Sequence, residues 1–145
     1  MDGANRMTQR ILIDSSAIGG FVDRSSRANS AIAAIIDEAS NEIILPAPII
    51  PEASYVIGSR MGYMALRLFI QDLTTTAPPI ENLSTNDYKR IAEVMATYAD
   101  MRLDFVDAAI FALAERLQIR HILTLDRRDF SVLRPRHCEY LELLP

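Results

Sequence analysis

Two short, largely apolar runs that each stop at an aspartate set the strongest limit on how this chain can fold. Ile11-Leu12-Ile13 ends at Asp14, and Ile122-Leu123-Thr124-Leu125 ends at Asp126. A run that is apolar at nearly every position, yet too short for a helix, reads as a strand buried on both faces. Strands of that kind belong to parallel sheets covered by helices. Ligands then bind beyond the carboxyl ends of the strands, which is where Asp14 and Asp126 fall.

The rest of the chain alternates in the same way. Residues 28–39 carry apolar side chains at helical spacing. Glu42 to Leu45 reads as a second strand, closed by Pro46 and Pro48. A helix is expected from near Pro51, where proline is tolerated in the first turn, and residues 61–72 look helical again. The β-branched Thr74-Thr75-Thr76, ahead of Pro78-Pro79, suggests a short strand. Ser84, Thr85 and Asn86 are capping residue types before an amphipathic helix, Asp87 to Thr97. Asp104 is placed to cap the next helix, 105–117, which is apolar on most sides and therefore buried. His121 to Leu125 is a third strand, and Tyr140 to Leu143 a last one at the edge. Strands alternating with helices predict an α/β fold: a single domain with a mainly parallel central sheet of about four to five strands and helices on both faces.

A chain of 145 residues suits one domain, taken as 9–145. Residues 1–8 are expected to form a disordered N-terminal extension, with Met7 as an alternative start. The single cysteine, Cys138, excludes an internal disulfide and a cysteine metal cage, and suits a reducing cytoplasm. The polar N-terminus lacks the apolar stretch of a signal peptide, and no segment reaches the roughly 18 apolar residues of a membrane span. A net charge of −4 argues against coating nucleic acid by bulk attraction. The cations are nonetheless uneven: Lys89 is the only lysine, and Arg116, Arg120, Arg127, Arg128, Arg134 and Arg136 crowd the late part of the chain. Arginine forks suit phosphate oxygens, so Arg127 and Arg128, directly after Asp126, are candidate RNA contacts; the plainer reading is a solvated surface.

The acids carry the chemistry. Asp14 and Asp126 follow strand tips, while Glu52 and Asp107 lie in the first turns of two helices, so all four can converge on one rim of the sheet. Like charges held that close repel, and burying them is costly. A hard divalent cation removes the penalty, and Mg²⁺ takes oxygen ligands, often one or two carboxylates with the rest water. Each acid has a plainer reading. Asp14 can cap the Ser15-Ser16 loop, Glu52 can answer the helix dipole, and Asp126 can cap the Arg127-Arg128 turn. Asp107, among the apolar residues of FVDAAIFALA, is the hardest to explain that way. His121 and His137 read as surface residues with no catalytic part. A flavodoxin-like receiver module, or a domain that only binds RNA or protein, is the alternative; the receiver reading wants a lysine after a late strand, and Lys89 is not there.

The stretches ILIDSSAI (11–18), PAPIIPEASYVI (46–57), LDFVDAAIFALAERLQI (103–119) and ILTLDRRDF (122–130) resemble, in order and spacing, those of PIN-domain ribonucleases, and among them the VapC-type toxins of type II toxin–antitoxin pairs. The resemblance implies a Mg²⁺-dependent endoribonuclease, with Mn²⁺ able to substitute, that inhibits translation by cutting a structured tRNA or rRNA in the cytoplasm. It implies Asp14, Glu52, Asp107 and Asp126 as catalytic and metal-binding acids. Ser15 and Thr124 match small hydroxyl positions beside the acids, Asp104 can share the pocket, and Asp129 competes with Asp126 for the fourth place. It also implies a VapB-type antitoxin and a homodimer, for which the apolar faces Tyr55-Val56-Ile57 and Tyr63 to Phe69 are candidate surfaces; the plainer reading is that these faces belong to the core.

Overall fold

Five strands build one all-parallel sheet: β1 (Gln9–Ile13), β2 (Asn41–Pro46), β3 (Ile80–Glu81), β4 (His121–Leu123) and β5 (Glu142–Leu144), in the order β3-β2-β1-β4-β5. This computed structural model describes residues 9–38, 40–75 and 78–145. The expectations for residues 1–8, Ala39 and Thr76 lie outside them. Successive side chains of a strand point to opposite faces, and Ile11, Leu12 and Ile13 are all buried. Both faces of the central strand are therefore covered, as its unbroken apolar run requires.

Six helices do the covering: α1 (Ser15–Val22), α2 (Asn29–Asp37), α3 (Ile49–Met61), α4 (Tyr63–Thr75), α5 (Thr85–Thr97) and α6 (Phe105–Leu117). They pack in two groups, α1 with α2 and α3, α3 with α4, and α5 with α6. α6 is the most enclosed, with every residue from Asp107 to Ala114 buried, in keeping with a helix apolar on most sides. Ser84 and Asp87 close a reciprocal capping box on α5, and Asp104 caps α6.

The register brings the strand tips level. Ile13 pairs with Leu123, the Asp14 amide donates to the Leu123 carbonyl at 2.9 Å, and the Thr124 amide donates to Leu144 at 2.8 Å. The first residues beyond β1 and β4 therefore stand side by side at the carboxyl edge of the sheet.

Several expectations need correction. α1 stands where the sequence suggested a Ser15-Ser16 loop. Asp14 starts this helix by accepting the Ser15 amide, and Gly20 is small because a Cβ there would stand 2.9 Å from the side chains of both Ile32 and Leu125. Thr74 and Thr75 end α4 instead of forming a strand, their hydroxyls bonding back to the Gln71 carbonyl. The strand in this region is β3, beyond Pro78-Pro79. Residues 61 and 62 do not open a helix: α3 runs through Met61 and ends at Gly62, whose φ of 93° only glycine adopts freely. β4 stops at Leu123; the Thr124 amide still bonds the Leu144 carbonyl, while its hydroxyl takes the Asp126 amide at 3.0 Å and turns the chain. β5 begins two residues later than expected. His121 and His137 are half-buried, not surface groups: His121 Nε2 lies 2.6 Å from Glu142 and His137 Nε2 2.8 Å from the Ile119 carbonyl.

Candidate active site

Asp14 is buried and held by several donors. It is 4% exposed. Its Oδ1 accepts the Ser15 amide at 2.8 Å. Its Oδ2 accepts the hydroxyls of Thr124 at 2.9 Å and Ser16 at 3.0 Å. Ser16 in turn takes the Leu125 amide at 2.9 Å. The hydroxyl of Ser16 thus ties the start of α1 to the turn after β4, with Asp14 between them. Sequence reasoning picked out Ser15 and Thr124 but left Ser16 as a plain loop residue. Its signal was its place two residues beyond a strand-tip aspartate, where a side chain turns back to the cap.

Ser15 makes the link to α3, donating its hydroxyl to Glu52 Oε1. Glu52 itself stands exposed in the first turn of α3. It is a rim residue, which its half-apolar neighbourhood in sequence did not announce.

Asp107 is treated very differently. Only 7% of it is exposed, and its carboxylate accepts no hydrogen bond from a described residue. Burial pushes its pKa from 3.8 to about 8, and the charges of Asp104, Asp14, Asp126 and Asp129 add to the rise in that order. Those four carboxylates lie near enough for their charge to act on Asp107. Asp104 is held by the Asp107 amide at 2.8 Å. Asp126 and Asp129 belong to the turn after β4, and of the two Asp126 acts more strongly on Asp107. Asp14 and Asp126, two of the acids expected beside Asp107, thus lie within electrostatic reach of it, together with Asp104 and Asp129; Glu52 is not among them and is linked to the group through the Ser15 hydroxyl.

The late arginines are mostly occupied. Arg116 holds Asp87 and Glu81, each at 3.0 Å, and Arg120 holds Glu142 at 3.2 Å. Arg136 reaches Glu93 at 3.3 Å, and Arg127 donates to the Pro145 carbonyl at 2.9 Å. Arg128 is exposed. The plainer reading, a solvated and ion-paired surface, fits most of this cluster.

The donor set suits a hard cation: carboxylate and hydroxyl oxygens, with no thiol or imidazole among them. Among the described residues no three such side chains stand ready-made as a metal cage. A cage of three is not what Mg²⁺ needs, since one or two carboxylates and several waters are its usual shell. An acid that is buried, unpaired and surrounded by like charges is the kind of group whose proton a dication would displace.

Residues 11–134 match the PIN domain family. Ribonuclease VapC26 of Mycobacterium tuberculosis is 31% identical over 125 residues, spanning 86% of this chain and 93% of the relative. Among solved structures, the M. tuberculosis toxin VapC20, described as cleaving the sarcin–ricin loop, superposes with a TM-score of 0.77 over 89% of this chain and 98% of that one. At 16% identity that likeness speaks for the fold. The chain belongs to the PIN-domain family, on its VapC-type branch. Membership displaces the receiver alternative, and Lys89 duly lies within α5, away from the strand tips.

Proposed function

We propose that this chain is a divalent-metal-dependent endoribonuclease, the toxin of a toxin–antitoxin pair, which inhibits translation by hydrolysing phosphodiester bonds of a structured tRNA or rRNA. The observation that carries the proposal is Asp107: a buried carboxyl with no donor, within electrostatic reach of four other acids.

Asp14 and Asp107 would hold Mg²⁺, or Mn²⁺ in its place, and Glu52 and Asp126 would stand around it. When bound, the cation lowers the pKa of a water and stabilises charge on a phosphoryl oxygen. The chain's own part is positioning. Ser15, Ser16 and Thr124 fix both oxygens of Asp14 by donating to them or to their neighbours. Ser15 holds one oxygen of Glu52, leaving Oε2 to take a proton from the attacking water. Asp104 and Asp129 add negative field that favours a cation over a buried proton on Asp107. In-line attack would leave a 5′-phosphate and a 3′-hydroxyl.

A VapB-type antitoxin and a homodimer are part of the proposal. α4 supports it, because none of its residues is buried and it exposes Tyr63, Met64, Leu68 and Ile70. A cationic side chain of the antitoxin would pair with the acids.

The test is cleavage of total RNA by the purified chain with Mg²⁺, compared with Asp14→Asn and Asp107→Asn variants shown to be folded. Loss of cleavage in both, and in the unsubstituted chain on chelation, is expected. Full activity in both variants would overturn the assignment.

A further inference from the structure

Beside the acids a cavity of about 340 Å³ opens between α1 and α3. Its walls follow helical spacing. Ser15, Gly19 and Asp23 come from the α1 side, four residues apart, and Glu52, Val56 and Arg60 come from α3, again four apart. Both helices start at the acidic site, so the cavity leads away from it. Glu52 stands at the near end and Arg60 two turns further on, about 12 Å along the axis at 1.5 Å per residue.

Two features inside it lack a structural explanation. Arg60 is exposed and makes no hydrogen bond or ion pair with a described residue; only its longer-range field reaches Asp23. Asp23 is already engaged, by the Ser25 amide at 3.0 Å and the Ser25 hydroxyl at 2.6 Å. Gly19 sits inside a helix at a cost of about 1 kcal/mol against alanine. Unlike Gly20, it has nothing within 4 Å of where its Cβ would be. Packing explains Gly20 and leaves Gly19 unexplained. A side chain at 19 would project into free space bordering the cavity.

From this geometry we infer that the α1–α3 cavity is a subsite for the RNA strand flanking the scissile bond, with Arg60 binding a phosphate beyond it. The inference rests on the ribonuclease reading. A single strand entering the acidic pocket carries its next phosphates along one wall, and they need a cation there because the rim around the acids is negative. Arg60 is a free guanidinium lining the cavity at that distance, and its fork suits phosphate oxygens. The open floor at Gly19 leaves room for a splayed ribose and base, the form in which RNA loops are read.

The experiment measures binding of a fluorescein-labelled single-stranded RNA oligonucleotide by anisotropy, in chelating buffer, across a salt series. Arg60→Gln should weaken binding roughly fivefold and reduce the slope of log K against log salt by about 0.7, the share of one single-strand phosphate contact. Gly19→Leu should weaken binding with the slope unchanged. Arg67→Gln, an exposed arginine on α4, controls for net charge and should change affinity less than about twofold. If Arg60→Gln matches Arg67→Gln, or Gly19→Leu binds normally, the subsite is wrong while the nuclease reading stands. If the unsubstituted chain neither binds nor cuts RNA, the nuclease reading falls first. If instead Arg60→Gln abolishes capture of a polyglutamate peptide and leaves RNA binding intact, the cavity serves a protein segment and the subsite is overturned.

Discussion

Asp87 and Asp107 occupy the same local position and meet opposite fates. Each is the third residue of its helix, three beyond the cap, and each is buried, at 3% and 7% exposure. Around Asp87 the fold supplies donors. Burial works to raise its pKa, but the Ser84 amide, the Arg116 guanidinium and the Ser84 hydroxyl outweigh it and hold the carboxyl below its ordinary range. Around Asp107 the fold supplies acids. Its cap is Asp104, no arginine among the described residues pairs with it, and its pKa climbs to about 8. The first acid joins α5 to α6 through Arg116; the second is left wanting a cation. Burial of a carboxyl is thus not in itself a sign of function. What distinguishes the two is whether the surroundings satisfy the charge or oppose it.

The largest expected effect would break the comparison outright. Asp107→Asn should lower metal-dependent RNA cleavage by more than about 100-fold, beyond what loss of outer-shell support costs a metal site. Asp87→Asn should leave cleavage per folded molecule within about twofold. Equal losses in the two, measured by initial rates on one RNA substrate, would mean that both acids are structural.

Stability should rank them the other way. Asp87→Ala removes a capping-box partner and strands Arg116, which is partly exposed and keeps Glu81. A fully buried pair broken on one side costs about 3–5 kcal/mol; solvent around Arg116 reduces this, and about 2–3 kcal/mol is expected by urea unfolding at pH 7. Asp107→Asn in metal-free protein should stabilise at pH 8. The sign follows from linkage. A carboxyl with a raised folded pKa contributes stability that is complete below the unfolded value of about 3.9 and lost as pH rises through about 8. For Asp87, with a lowered folded pKa, stability is present above about 3.9 and lost as pH falls through the folded value. Metal-free protein should therefore weaken between about pH 4 and 8, and the Asp107→Asn variant should lack most of that slope. After relaxation of the site the gain at pH 8 should be about 1–3 kcal/mol, less than the full linkage of a four-unit shift. No difference between the two unfolding curves at pH 8 would show that Asp107 titrates normally.

Much of this contrast was legible before any coordinates, and the rest was not for identifiable reasons. ILI followed by Asp14 and ILTL followed by Asp126 read as buried strands with a carboxylate at each tip, because parallel strands are buried on both faces; the first holds, while the second strand ends at Leu123 and leaves Asp126 in the turn beyond it. Asp107 stood out because apolar neighbours on every side leave a carboxyl without local partners. The satisfaction of Asp87 was hidden, since its partner Arg116 is 29 positions away and nothing local marks that arginine apart from Arg120 or Arg127. α1 carries little helical signal of its own, since Gly19-Gly20 has low helix propensity, and close packing at Gly20 against Ile32 and Leu125 comes from distant parts of the chain. Thr74-Thr75 misled because β-branching favours strands, while a threonine hydroxyl can equally bond back into the last helical turn. The exposure of Glu52 depends on how α3 is seated on the sheet edge, which periodicity alone does not fix.

The finest test separates the two jobs of Asp104. It caps α6 by accepting the Asp107 amide at 2.8 Å, and its charge is the foremost of those that raise the pKa of Asp107. Asparagine is as good a cap as aspartate, so Asp104→Asn keeps the first job and removes the second. Helix stability should change by less than about 0.5 kcal/mol. The pH at which metal-free stability declines should move down, toward the ordinary carboxyl range, because one like charge is gone while burial, the larger cause, remains. Followed by urea unfolding from pH 5 to 9, an unmoved midpoint would show that the charge of Asp104 does not set the titration of Asp107. The difference from Asp87 would then lie in burial, the remaining acids and the donors Asp87 alone receives. A midpoint that moves shows that α6 is capped by an acid at the expense of its own third residue, an arrangement that makes sense where a cation is to be held.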